Sequence, residues 1–196
     1  MWSTDINRVS KESWLSARFA RALKPEGPKI NRRLWLSGAL TLILFVAMAI
    51  HSSPLSPSIP VIQLTFDEAA FKAVLAQWGP NGVELFRTHF FIDFSFLTSY
   101  GVFGYLLARH VTRRHKTGPS ARHFLIWALP AAAALDACEN LLHLSFIAYG
   151  AHPMPGAYLL AGVVASSKWL LIATFVIGLI VVQHGLLRST GKSGQN

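Results

Sequence analysis

Residues 131–144, AAAALDACENLLHL, embed four groups capable of acid–base or ligating chemistry in an apolar stretch. Asp136, Glu139, Asn140 and His143 stand at i, i+3, i+4 and i+7, which stacks them on one stripe of a helix. Two further sets accompany them. His89, Asp93 and Tyr100 follow at i, i+4 and i+11 in an earlier apolar run, and Lys168 stands beside Ser166 and Ser167 in a later one. An ionisable group near the centre of a membrane span costs at least about 2.5–3.5 kcal/mol. Several in one place therefore need one another, or a purpose.

Depth decides which of them can meet. Counted inwards from the external ends, Lys168 and Glu139 each lie roughly 15 Å deep, Asn140 roughly 13 Å, Tyr100 roughly 18 Å and Asp136 roughly 20 Å. Asp93 and His143 lie at roughly 8–9 Å. Two tiers are expected. A mid-membrane tier joins Lys168 to Glu139 and Asp136 with Tyr100 in reach, and an outer tier joins Asp93 to His143 with His89 above it. The stripe opens, if anywhere, towards the external side. Three carboxylates against one lysine leave an excess of two negative charges. Such an excess requires a protonated carboxyl, a protonated histidine, Arg87 reaching down, or a bound cation.

Three chemistries remain open for this cluster. Asp136, Glu139 and Lys168 can form an ion-paired core that sets helix register. The same groups can line a small-molecule, lipid or proton site. Alternatively His89, Asp93, Asp136, Glu139 and His143 can ligate zinc or iron in an intramembrane hydrolase. The last is disfavoured by spacing, because the chain has no Glu-x-x-His and no His-Glu-x-x-His pair. Ser95, Ser99 and Ser145 lack a Gly-x-Ser-x-Gly setting, and no glycine loop could cradle a phosphate. No cofactor is expected, and no catalytic residue is assigned.

The elements that must position these groups follow from composition. Residues are 52% hydrophobic and 14% charged, which excludes an ordinary soluble domain. Four runs, at about Leu34–Ser52, His89–Arg109, His123–Tyr149 and Tyr158–Leu187, approach or exceed the roughly 20 residues a spanning helix needs. The backbone must satisfy itself in lipid, and the many short alternating segments of a β-barrel are missing. The expected class is an all-α, four-span transmembrane helix bundle. It occupies residues 34–187, between a basic tail at 1–33 and a short tail at 188–196.

Charge orients it. Fifteen of the 18 Lys and Arg residues fall in the N-terminal tail, the loop from Arg109 to Arg122 and the C-terminal tail, all on one side of four spans. Positive segments stay cytoplasmic, so both termini are expected inside. The net charge of +9 then reflects topology and contact with anionic headgroups, with no nucleic acid as partner. No cleavable signal peptide is expected before the first run. Asp5, Glu12 and Glu26 argue against a mitochondrial presequence.

Smaller features complete the pattern. In SKESWLSARFARALK, Trp14, Leu15, Phe19 and Leu23 recur at helical spacing among basic residues, predicting an N-terminal interfacial helix at 10–24. SSPLSPSIP interrupts the chain after the first run. TFDEAAFKAVLAQWG predicts a short external amphipathic lid helix at about 65–78, capped by Thr65 with Glu68 completing a capping box. Its apolar face is read as Phe66, Ala70, Val74 and Trp78, and Gly79-Pro80 ends it. Trp35, Trp127 and Tyr158 are read as interface anchors, and the single cysteine, Cys138, as a small packing residue. Gly101, Gly104 and Gly162 let helices approach closely.

AVLAQWG, DFSFLTSYGVF, LDACENLL and SSKWLLIA, in that order, resemble a group of uncharacterised bacterial four-helix inner-membrane proteins. The resemblance covers roughly residues 35 to 185 and rests on Trp78-Gly79, Asp93, Tyr100, Asp136, Glu139, Asn140 and Lys168. It implies a bacterial inner membrane and transfers no reaction. His89 and His143 fall outside its pattern. The expected function is a non-enzymatic accessory or ligand- or lipid-binding membrane protein, alone, as a homo-oligomer or in a larger membrane complex. The alternatives are an intramembrane enzyme, lipid-modifying or metal-dependent, and a small proton-coupled carrier.

Overall fold

The computed structural model describes residues 31–148 and 154–185. Five helices follow one another: α1 (Arg32–Ser52), α2 (Ile59–Gln63), α3 (Glu68–Arg114), α4 (Pro119–Ala148) and α5 (Ala157–Gln183). The described residues contain no strand. Four of the helices, α1, α3, α4 and α5, are long and apolar enough to cross a membrane. The helix expected at 10–24, the tail at 188–196 and part of the turn before α5 lie outside the described residues.

α3 is two helices meeting at an angle. Gly79 adopts φ 64°, ψ −176°, a conformation essentially reserved for glycine. Pro80 follows, and its missing N–H and restricted φ suit the first position of a new helix. A lid arm, 68–78, therefore turns directly into a long arm, 80–114, which starts well before the expected His89. The lid arm also begins later than the sequence suggested. Its cap is Asp67, whose carboxylate accepts a hydrogen bond from the Ala70 amide at 2.8 Å. Thr65 instead donates to the Ile62 carbonyl at 2.7 Å and closes α2, a turn of helix not foreseen among the prolines. Glu68 pairs with Lys72 at 2.5 Å, and this hydrogen bond raises the lysine's pKa above its ordinary value. The later start leaves Phe66 outside the helix and 44% exposed, while Val74 and Trp78 of the expected face are buried and Phe71 joins them.

The four long helices are not equivalent. α4 lies between α3 and α5 and buries residues along its whole length, from Leu125 to Phe146. α5 contributes one stripe, Tyr158, Ala161, Ala165, Lys168, Phe175 and Val182. α1 packs chiefly against α3 and contains no buried residue. The arrangement is a three-helix core with α1 on its flank rather than a symmetric bundle of four. The reason lies in α1 itself, which is apolar on all sides and has few groups that select a neighbour. Thr41 shares a hydrogen bond with Ser99 at 2.8 Å, and His51 lies 3.1 Å from the Thr88 hydroxyl.

Close contact between α3 and α4 depends on small residues. A Cβ at Gly104 would lie 2.4 Å from the Cβ of Leu129, and one at Gly101 would lie 3.1 Å from that of Ala133. Gly162 serves a different contact from the one expected, because it faces Thr65 and Phe66 of the α2–α3 connection. Gly104→Ala is expected to lower stability by about 1–3 kcal/mol through overpacking. Combining it with Leu129→Ala should cost less than the two changes added, because they share one contact. Thermal unfolding of the four proteins in detergent checks this.

Candidate functional site

Each helix of the core brings part of one polar cluster. α4 supplies Asp136, Glu139, Asn140 and His143 from a single stripe, the long arm of α3 supplies His89, Asp93 and Tyr100, and α5 supplies Lys168. All eight are buried, with Glu139 at 0%, Asn140 and His143 at 1% and Lys168 at 2% exposure. Asp136 is the junction. One carboxylate oxygen accepts from the Lys168 ammonium at 2.8 Å, and the other accepts from the Tyr100 hydroxyl at 3.1 Å. Lys168 Nζ also lies 2.6 Å from Glu139 Oε2. The lysine thus sits between two carboxylates of neighbouring turns of α4 and ties α5 to it. Tyr100 ties α3 to the same point.

The second tier differs from expectation. Asp93 does not pair with His143; its Oδ2 accepts from the Asn140 side-chain amide at 2.6 Å. His143 Nδ1 lies 3.9 Å from Glu139 Oε1 on its own helix, and His89 Nε2 lies 4.0 Å from Asp93 Oδ2 on its own. Spacing of i, i+4 already places each histidine beside a carboxylate, so neither ring must cross to another helix. Asn140 is the group that crosses. Arg87 does not reach down, because it is exposed and paired with Glu84 at 3.1 Å. Nor is Cys138 a packing residue; it faces outward.

Aromatic side chains close the lid end of the cluster. Phe71 of the lid arm lies 5.4 Å from the His143 ring, 5.4 Å edge-on to Phe146 and 5.4 Å from Tyr158. Phe86 stacks with His89 at 6.4 Å and packs against Trp78 at 5.0 Å. The opening expected towards the external side is therefore filled by rings. Tyr158, read as an interface anchor, belongs to this layer, buried 4.3 Å from Phe146. Trp35 and Trp127 do project outward, at 70% and 53% exposure. Phe71 and Phe86 were missed. Phe71, Val74 and Trp78 stand at i, i+3 and i+7, a legible helical face once the helix start is correctly placed.

The arrangement concentrates charge in a low-dielectric place. With its carboxyls ionised and its histidines neutral, the cluster carries two more negative than positive charges. Two protons, on the histidines or the carboxyls, would balance it. Nδ1 of each histidine and Glu139 Oε1 make no hydrogen bond. Among the described residues, no three His, Cys, Asp or Glu side chains are grouped so as to hold a metal ion. What the geometry provides is an ionic tie between α4 and α5, joined to α3 by hydrogen bonds from Tyr100 and to Asp93, and flanked by two histidine–carboxylate pairs. No family profile, curated protein or solved structure matches this chain.

Proposed function

We propose that the chain is a multi-pass protein of a bacterial inner membrane with both termini cytoplasmic, acting as a non-enzymatic accessory or lipid-binding component. In this reading the Asp136–Lys168–Glu139 tie is an internal key. It selects one rotational and axial setting of α3, α4 and α5, where lipid and side chains are equally apolar and hydrophobic packing distinguishes few alternatives. The observation that carries the reading is the burial of Lys168 and Glu139, at 2% and 0% exposure, between helices and beneath the aromatic layer. A reacting substrate would need access to these groups. A positioning element needs only that they remain paired. The four apolar helices and the basic segments at 109–122 support membrane residence and orientation.

Extraction of the tagged, full-length chain in mild detergent, followed by native mass spectrometry, tests the accessory role. A stoichiometric membrane-protein partner, lost in harsher detergent, is the expected result. A lone monomer without protein or lipid attached would refute it.

A further inference from the structure

A groove of about 320 Å³ runs along the surface where α3 meets α4, outside the buried cluster. Gly101, Val102, Pro130 and Ala133 line its middle, and Tyr105 and Trp127 close one end. From Leu97 to Tyr105 it extends about 12 Å along the helix axis. A space of this length and volume can take one alkyl chain.

The end at Tyr105 has different chemistry. Arg109, one turn further on, donates from Nη1 to the Tyr105 hydroxyl at 2.8 Å, with its guanidinium carbon 5.4 Å from the ring centre. Trp127 lies 6.0 Å from Tyr105, tilted by 56°. Arg113 and His123 stand a further turn along their respective helices, both exposed. A guanidinium has five donors in a planar fork, so the bond to Tyr105 leaves Arg109 with donors that match phosphate. Tyr and Trp bodies favour the depth at which acyl chain gives way to headgroup. The groove is therefore apolar along its length and cationic at one end.

We propose that this groove is a binding site for an anionic phospholipid, with one acyl chain between α3 and α4 and the phosphate against Arg109. The assignment rests on the membrane reading above, and it adds a site and a ligand class that the buried cluster does not involve. Charge complementarity selects the occupant: a zwitterionic lipid offers the same chain but a weaker counterpart to Arg109, Arg113 and the neighbouring basic loop.

The test uses the full-length chain in mild detergent, with phosphatidylglycerol or phosphatidylcholine of identical chains added before native mass spectrometry. The wild type should retain one phosphatidylglycerol, and phosphatidylcholine about fivefold less. Arg109→Gln should lower phosphatidylglycerol retention about fivefold, the equivalent of about 1 kcal/mol for one arginine near anionic headgroups. Val102→Trp fills the groove from a position that is 52% exposed, so both lipids should be lost with the melting temperature unchanged. Equal retention of the two lipids, or wild-type retention by both variants, overturns the proposal. So does a wild-type dimer that Val102→Trp converts to monomer, since a second copy would then be the occupant. If Val102→Trp fails to fold, the Arg109→Gln comparison decides alone. Release of the chain by alkaline carbonate without detergent would instead overturn the membrane reading, before any lipid is added.

Discussion

Lys168→Met should destabilise the protein by about 3–5 kcal/mol, the cost of leaving a buried charge without its partner. The change removes the ammonium 2.8 Å from Asp136 and 2.6 Å from Glu139 and leaves two carboxylates facing each other in an apolar interior. Met preserves most of the volume and the helix propensity, so the loss reports on charge rather than on packing. The informative companion is the triple variant Asp136→Asn, Glu139→Gln, Lys168→Met. With every charge of the tie removed, most of the lost stability should return, because the large cost lies in breaking a buried pair and not in lacking one. Equilibrium unfolding in mixed detergent micelles, followed by loss of helical circular dichroism, measures both. If Lys168→Met unfolds within about 1 kcal/mol of the wild type, the ammonium is not the key that holds α5 to α4.

Phe71→Ala is the second large effect, at about 3–5 kcal/mol for truncating a buried aromatic ring. Phe71 is 1% exposed and touches His143, Phe146 and Tyr158, so it joins the lid arm to α4 and to the start of α5. Its loss opens a cavity directly above His143. Amide exchange should then rise across 68–78 while the centre of α4 stays protected. Phe71 is the lid-arm ring that reaches α4 and α5, whereas Trp78 packs against Phe86 of the long arm. Phe66→Ala is the control. Phe66 is 44% exposed, and removing it should cost clearly less than removing Phe71 and leave exchange in the lid arm nearer the wild type. A lid arm that exchanges no faster in Phe71→Ala would show that the ring does not fasten it.

Much of this molecule was legible in its sequence, for reasons that differ from feature to feature. The four apolar helices announce themselves because length and hydropathy are properties of a segment taken alone. Asp136, Glu139, Asn140 and His143 announce a common face because 3.6 residues per turn leave no other arrangement. Even the meeting of Lys168 with Asp136 and Glu139 follows from counting depth, since a fixed rise per residue converts position into height.

Only the tertiary structure decided what depends on how one helix is rotated against another. Asp93 and His143 have matching depths, yet Asn140 takes Asp93, because a side-chain partner across helices is chosen by azimuth as well as height. Val74 and Trp78 of the expected lid face are buried, but Phe71 joins them in place of Phe66, which the cap at Asp67 leaves outside the helix. α1 stands on the flank although its hydropathy equals that of α5, since hydropathy measures affinity for an apolar phase and does not distinguish lipid from protein. Rings from three separate stretches of chain, Phe71, Phe86 and Tyr158, close over the polar cluster. Periodicity describes each helix from its own axis, and the contacts between helices are set by packing that no single segment contains.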